Sequence, residues 1–295
     1  MALGRMLERE KPDLIWWSGD YLPWSMAVWN ACHRMTARLP RIHLSMFDPP
    51  EFWGQSPSMR ETYQRAVCDA DSCDAIGENL KTRMITEGAR RCEVLCDYID
   101  FDQADRDNLA SEQTARPSFR VAITGQIYSR RDLMKLCEAL QTVPGPSEVH
   151  WFGNDQNYII ARKLDWPKQV KLIERGMVDR DGISSAISSM DCGFLSMPLD
   201  RHEFAKYSVP TKLATYLGAA LPIVFIAPMD SELNSMNGLF GFGQNLMCVA
   251  TLSTFSKERA RMQQGGARLA EVRFSRNRVE AVVRKVLENA VAATK

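Results

Sequence analysis

Histidine is scarce in this chain. Its 295 residues include four, His33, His43, His150 and His202, at no spacing typical of a metal site or a catalytic triad. The eight cysteines (Cys32, Cys68, Cys73, Cys92, Cys96, Cys137, Cys192 and Cys248) include no Cys-x-x-Cys pair. A zinc site is therefore not expected. Excess charge of either sign is also lacking. The 37 Lys and Arg residues face 36 Asp and Glu, which leaves no basic footprint for nucleic acid. The longest apolar run, Leu217 to Met229, is interrupted by Pro222 and Pro228 and is too short to span a bilayer. The N-terminus is amphipathic, carries acidic residues and lacks the apolar centre of a secretory signal. Repeats and low-complexity tracts are absent.

What is present suits a globular α/β protein. Hydrophobic residues make up 45% and charged residues 25%, enough to build a sizeable core. The length suggests two domains. Cys192 before Gly-Phe-Leu and Cys248 after Leu-Met read as buried free thiols of a reducing cytoplasm.

Along the chain, short apolar runs alternate with helical patterns. A helix over 1–10 precedes a strand at Asp13–Trp17. A helix is expected at Trp24–Arg38 and a strand at Arg41–Met46. Phe47–Trp53 is read as a loop, because two prolines disfavour regular structure there. Helices at Ser58–Ala70 and Glu78–Glu87 bracket a strand at Cys73–Gly77, and a strand at Cys92–Cys96 follows. Phe101–Pro117 is polar and reads as a linker or an exposed helix, where the domain boundary is placed. A second block begins with a strand at Phe119–Thr124. It continues with helix Arg131–Leu140, strands Val149–Phe152 and Val170–Ile173, helix Asp181–Ser189 and strand Asp191–Leu195. A strand at Leu246–Ala250 and helices at Thr254–Leu269 and Arg276–Ala293 close the chain. Such alternation predicts parallel sheets covered by helices. The expected domains are 1–104 and 118–272, with 273–295 a helix returning to the first.

The stretch Phe204–Ile226 organises this reading. It is expected to run polar loop, short helix, tight turn, buried strand. Pro210 suits a first helical turn. Thr211 and Lys212 follow at the helix start, where free N–H groups and the dipole favour an anion. Leu213, Tyr216 and Leu217 recur at helical spacing and are expected to face a core. Ile223–Ile226 reads as a buried parallel strand. A cation held at the carboxyl side of a sheet is a phosphate-binding arrangement in doubly wound folds.

Tyr207-Ser-Val-Pro-Thr-Lys-Leu-Ala-Thr-Tyr-Leu-Gly-Ala-Ala-Leu-Pro222 resembles the Pro-x-Lys-Leu-x-Glu-Tyr-Leu-Ala-Ala-Gly-x-Pro signature of nucleotide-sugar glycosyltransferases of the GT-B fold, especially glycosyltransferase family 4. Asp74–Lys81 and Val94–Asp100 are similar to the end of the first lobe of those enzymes. The resemblance implies two Rossmann-like lobes with a cleft between them. It also implies that the first lobe is incomplete, since relatives carry further strands and helices before one like Asp13–Trp17. Tyr207, Ser208, Val209, Pro210, Thr211, Lys212 and Thr215 would then grip the diphosphate and ribose of the donor.

Gly125 follows the first strand of the second block and permits a tight turn with close ligand approach. Arg130 and Arg131 behind it could clamp a diphosphate, as a Gly-Arg-x…Lys loop does in the family; they also read as solvated arginines at a helix start. Met177 and Val178 would line the base with backbone groups, or form an ordinary turn. The chain departs from the family's Glu-x7-Glu pair. Tyr207 and Thr215 occupy the two glutamate positions, Glu203 is a nearby substitute, and Ala220 stands where glycine is usual. In the first lobe, Phe47 replaces a histidine common in relatives. Asp48 and Glu51 are candidates for orienting an acceptor hydroxyl, although Asp before Pro also serves as a turn cap. His43 and His150 alternate with apolar strand residues and are expected to be structural, with His202 the remaining outside candidate. Asp179-Arg-Asp181 and Asp100-Phe-Asp102 have Asp-x-Asp spacing. The first pair reads as a helix cap, the resemblance implies a fold that works without such a metal, and none is assigned.

The resemblance implies a retaining, metal-independent glycosyltransferase. Lys212, Arg131, Asp48 and Glu51 would be its catalytic side chains, the nucleotide-sugar its substrate rather than a cofactor, and a saccharide or lipid-linked saccharide hydroxyl its acceptor. A cytoplasmic location is expected, and peripheral contact with the inner face of a membrane stays open. Two alternatives are carried: a catalytically silent nucleotide-binding partner subunit of the same fold, and a sugar-nucleotide epimerase.

Overall fold

The structure is a computed structural model that describes residues 2–19, 41–52, 57–97, 99, 117–249 and 251–292. The expected helix at 24–38 and linker at 101–116 lie outside these residues, as do Cys32, His33, Asp100 and Asp102. The chain divides into two compact units. Unit 1 comprises Met1–Asp97, Lys206–Val209 and Asn277–Lys295, and unit 2 comprises Tyr98–Ala205 and Pro210–Arg276. The division therefore cuts through the organising stretch between Val209 and Pro210, and it leaves residues 273–276 with unit 2.

In unit 1, helix α1 (Ala2–Glu10) leads into β1 (Leu14–Ser18), and β2 (Arg41–Met46) follows. A single 3-10 turn at Pro50–Phe52 interrupts the expected loop, since proline suits the first residue of such a turn. Then come α2 (Pro57–Asp69), β3 (Ser72–Ala75), α3 (Glu78–Thr86) and β4 (Cys92–Val94). The four strands are parallel and lie in sequence order. Tyr63, Ala66 and Val67 of α2 and Leu80 and Met84 of α3 are buried.

One face of this sheet carries a buried polar ladder. His43 Nε2 lies 2.7 Å from Asp74 Oδ2 and its Nδ1 2.8 Å from Ser72 Oγ. Ser45 donates to the same Asp74 oxygen at 2.7 Å, and the Trp16 indole N–H donates to Ser45 at 2.7 Å. His43 and Asp74 are both fully buried, so the hydrogen bonds are what make this polar content tolerable in a core.

Unit 2 runs β5 (Phe119–Thr124), α4 (Arg130–Leu140), β6 (Ser147–Phe152), α5 (Asp155–Arg162), β7 (Val170–Gly176), α6 (Arg180–Ser188), β8 (Cys192–Ser196) and α7 (His202–Tyr207). It continues with α8 (Lys212–Gly218), β9 (Ile223–Ile226), α9 (Glu232–Phe240), β10 (Gly243–Asn245) and α10 (Phe255–Leu269). A π-helical turn at Ala270–Phe274 separates α10 from α11 (Arg276–Ala292). The last two residues of α7, Lys206 and Tyr207, and all of α11 beyond Arg276 fall in unit 1.

The six strands are parallel in the order β10-β9-β8-β5-β6-β7. The chain starts in the middle at β5, moves outward one way through β6 and β7, then returns to build the other half. The order thus reverses between β5 and β8, and in open α/β sheets the carboxyl ends of the strands at that point form the natural ligand crevice. Leu133, Leu136 and Leu140 of α4, Tyr158 of α5 and Met262 of α10 pack with Val121, Val149, Trp151 and Phe194 in one apolar core.

Three expectations change here. Phe204–Tyr207 is helical rather than loop, as part of α7. The final strand is Gly243–Asn245, not Leu246–Ala250. Residues 246–248 form a turn in which Asn245 Oδ1 accepts the N–H of Met247. Cys248 is exposed, whereas Cys73, Cys92, Cys96, Cys137 and Cys192 are buried free thiols.

Candidate functional site

Tyr216 fixes the centre of unit 2. Strands β5 and β8 pair over only Val121↔Cys192 and Ala122↔Gly193 before they diverge. Into this fork α8 inserts the Tyr216 hydroxyl. It accepts the backbone N–H of Thr124 at 2.9 Å and the Thr124 hydroxyl at 3.1 Å, and lies 3.1 Å from the Phe194 carbonyl oxygen. A strand donor that the diverging sheet would orphan is thereby satisfied. The ring lies flat against β8 because residue 193 is glycine; a Cβ there would stand 2.4 Å from the ring.

Lys212 is one helical turn before Tyr216 and inherits this fixed position. Its Nζ donates to the backbone carbonyl of Gln126, in the turn that leaves β5. Gly125 opens that turn at φ +62°, and its Cα faces the lysine stem closely enough that an added Cβ would touch Lys212 Cε at 3.4 Å. The Gly125 N–H donates to the Phe152 carbonyl at 2.7 Å, and the Gly153 N–H to that of Gly176 at 3.0 Å. The carboxyl ends of β5, β6 and β7 are thus bound into a low backbone rim. Burial alone lowers the Lys212 pKa to about 8. No carboxylate pairs with it among the described residues. Lys212 is half-buried, and a partly shielded cation without a counter-charge is a ready partner for an anion.

The other expected donor-site residues distribute as follows. Arg130 and Arg131 are exposed in the first turn of α4, which Ser129 caps by accepting the N–H of Asp132 at 3.2 Å. Thr211 is exposed at the start of α8 and makes no side-chain cap, and Thr215 is half-buried. Pro210 supplies the carbonyl that accepts the Leu213 N–H at 2.9 Å. Met177 is 75% exposed and Val178 half-buried after the end of β7. Glu174 belongs to that strand. Asp179 caps α6, its Oδ1 accepting the Gly182 N–H at 2.7 Å.

Tyr207, Ser208 and Val209 go with unit 1. Ser208 is buried and donates to Asp48 Oδ1 at 3.0 Å. The Tyr207 ring lies 5.0 Å from the Arg83 guanidinium. Arg83 grips Glu51 through two hydrogen bonds of 2.7 and 2.9 Å and reaches Glu87 at 3.0 Å. Burial opposes ionisation of Glu51, but the Arg83 bonds outweigh it and hold the carboxyl below its usual range. Glu51 is thus committed to Arg83, and Asp48 receives Ser208.

His150 is buried between Arg175, which donates to its Nδ1 at 3.0 Å, and Glu148, which accepts from its Nε2 at 2.9 Å. His202 is exposed and lies 3.1 Å from Asp230. Glu203 is exposed in the first turn of α7. No group of three or more His, Cys, Asp or Glu among the described residues is arranged to hold a metal.

Two features went unseen in the sequence. The Tyr216 hydroxyl was masked by a helical spacing that marks the residue only as core. Asp132 did carry a signal, being a carboxylate on the apolar stripe of α4 with Leu133, Leu136 and Leu140.

The two sheets and their helices have the fold of two-lobed nucleotide-sugar glycosyltransferases, the GT-B arrangement. The chain is similar to sucrose-phosphate synthase from Thermosynechococcus elongatus (TM-score 0.69, 11% identity, 99% of this chain and 77% of that one). It is also similar to the lipopolysaccharide outer core galactosyltransferase WaaB (0.66, 12%, 100% and 79%) and to the trehalose 6-phosphate synthase of Burkholderia multivorans (0.65, 11%, 100% and 76%). By sequence the chain matches no protein-family model and no curated protein.

Proposed function

We propose that this protein is a glycosyltransferase of the family 4 type. It would move a sugar from a nucleotide-sugar to a hydroxyl of a saccharide or lipid-linked saccharide, with retention and without a metal. The observation that carries this is Lys212, a half-buried cation with no carboxylate partner among the described residues, held at the strand-order reversal beside the Gly125 turn. There it would meet the donor diphosphate, with Arg130 and Arg131 on the adjoining helical turn. As the glycosidic bond breaks, negative charge collects on the leaving diphosphate, and cations fixed in advance stabilise that charge without reorganising. Met177 and Val178 would line the base, and Thr215 would offer a neutral hydrogen bond to the ribose. Asp48 and Glu51, with Ser208 and Arg83 as their neighbours, are the acceptor-side candidates. The fold, and relatives named as a galactosyltransferase and two sugar-phosphate synthases, support this reading. It places the protein on the cytoplasmic side, where nucleotide-sugars are made. No described helix is long and apolar enough to cross a membrane.

A second reading, a nucleotide-binding partner subunit without turnover, is favoured by one observation. Neutral Tyr207 and Thr215 hold the positions of the expected glutamate pair, and Tyr207 faces Arg83. Thermal-shift titration with UDP, GDP, ADP and their sugar conjugates tests the shared claim. A ligand at a hundred times its Kd stabilises the fold by about 2.7 kcal/mol. Release of nucleoside diphosphate in the presence of acceptor then separates enzyme from silent subunit. No shift with any nucleotide removes both.

A further inference from the structure

Tyr128 lies in the turn between β5 and α4, immediately before Ser129, the cap of that helix, and is 39% exposed. Its neighbour Ile127 is buried and already supplies the apolar anchor of the turn. The Tyr128 ring meets the buried Phe204 of α7 in a T-shaped contact, with centroids 6.3 Å apart and planes at 65°. Aromatic pairs prefer this arrangement, and it fixes the orientation of the outer ring. One part of Tyr128 is thus held against Phe204, and the rest is open to solvent.

The two rings come from the two connections that flank the strand-order reversal. Tyr128 follows β5, and Phe204 follows β8. The cations assigned to the diphosphate bracket Tyr128 along the same turn. Lys212 Nζ donates to the carbonyl of Gln126 just before it, and Arg130 and Arg131 stand in the first turn of α4 just after it. The sheet order then sets a direction. Seen from β5, Met177 and Val178 after β7 lie on the β6 side, and Phe204 after β8 lies on the other. A nucleotide-sugar with its base toward β7 and its diphosphate at β5 carries its sugar toward β8, where the Tyr128 ring stands.

An exposed aromatic ring suits that occupant. The face of the ring is electron-rich, and one face of a hexopyranose is a patch of weakly positive C–H groups. A nucleobase would also stack on such a ring, but the base is expected at the opposite end of the site. A phosphate has no apolar surface to offer.

We propose that Tyr128 is a platform for the ring of the transferred sugar, a hexopyranose, and helps to determine which sugar the donor site accepts. This rests on the reading of unit 2 as a nucleotide-sugar site. An apolar residue just before a helix cap can also serve as a staple against the helix, so recognition has to be separated from folding.

Dissociation constants are measured on the full chain for UDP, GDP and ADP and for their glucose, galactose and mannose conjugates, in the wild type, Tyr128→Ala, Tyr128→Leu and Tyr128→Phe. The quantity read is the ratio of the Kd of the conjugate to that of the nucleoside diphosphate. Tyr128→Ala is expected to bind the diphosphate as the wild type does and to raise this ratio about 10-fold for the sugar that the wild type binds best, as for a lost stacking contact. Tyr128→Leu keeps apolar bulk against Phe204 and the helix, and should raise the ratio in the same way even if Tyr128→Ala is unstable. Tyr128→Phe keeps the ring and is expected to restore the ratio. A wild-type ratio in both Tyr128→Ala and Tyr128→Leu overturns the proposal, and a lowered melting temperature beside it would mark a staple. An equal loss for diphosphate and conjugate overturns it too, since the ring would then serve the nucleotide. Failure of the wild-type chain to bind any nucleotide is a different result, because it removes the donor site itself and the platform with it.

Discussion

The Tyr216 hydroxyl lies 2.9 Å from the Thr124 nitrogen and 3.1 Å from the Phe194 carbonyl oxygen, bridging β5 and β8 where they part. Helix α8 is thereby anchored to both halves of the sheet, and Lys212 one turn earlier is set over the Gly125 turn. Tyr216→Phe leaves the Thr124 N–H buried and unpaired, at a cost of about 1–3 kcal/mol. Chemical denaturation should show that loss, and nucleotide affinity should fall with it although residue 216 touches no ligand. Wild-type affinity in this variant would show that the anchor does not position Lys212.

How much of this was legible in the sequence varies with the kind of signal. Strands Phe119–Thr124 and Ile223–Ile226 match the expected bounds, because runs of β-branched and aromatic residues report burial directly. Strand β10 was misplaced because Gly243-Gln-Asn245 has little strand propensity and its pairing is set by tertiary contact. A Cβ at Gly243 would stand 2.0 Å from the Ile223 carbonyl oxygen, so only glycine permits it. The apolar residues after it looked more strand-like. Helix α9 was missed although Ser231 caps its start, since its few apolar residues give a weak period. At the site, Lys212 and Gly125 were readable as a motif. The Tyr216 bridge was not, because its contact with Thr124 joins residues 92 positions apart.

Ala220 follows α8 at φ +53°. A left-handed residue with a Cβ carries about 1–2 kcal/mol of strain, of which glycine gives back part through its greater unfolded-state entropy. Ala220→Gly is expected to stabilise the protein by about 0.5–1 kcal/mol, read as a higher denaturation midpoint at unchanged slope. A lower midpoint would show that the methyl group's packing outweighs the strain.

Arg83 holds Glu51 and Glu87 in a largely shielded pocket of unit 1. Arg83→Ala strands two carboxylates and should cost about 3 kcal/mol. Arg83→Lys should restore only part of this, since a lysine cannot make the two-pronged bond to Glu51. Full rescue by lysine would reduce the cluster to simple charge pairing.

The Lys212 pKa near 8 gives two pH effects of definite sign. Between about pH 8 and the usual lysine range near 10.4, the unfolded chain keeps the proton that the folded chain has lost. The Lys212 contribution to stability therefore rises with pH across that window. Affinity for a nucleoside diphosphate runs the other way, because the cation disappears as pH passes 8. Binding near pH 8 should take up protons, visible as a calorimetric enthalpy that changes with the ionisation enthalpy of the buffer. A buffer-independent enthalpy would mean that Lys212 does not meet the ligand.

The most direct test of the central claim is calorimetric titration of UDP, GDP and ADP into the wild-type chain and into Lys212→Met, which keeps the length of the side chain and removes its charge. The account predicts that one nucleotide binds the wild type at neutral pH and that Lys212→Met weakens it by about 10-fold or more, as expected for loss of a charge-assisted hydrogen bond. Equal affinity in the two proteins would contradict the assignment of Lys212 as the diphosphate contact.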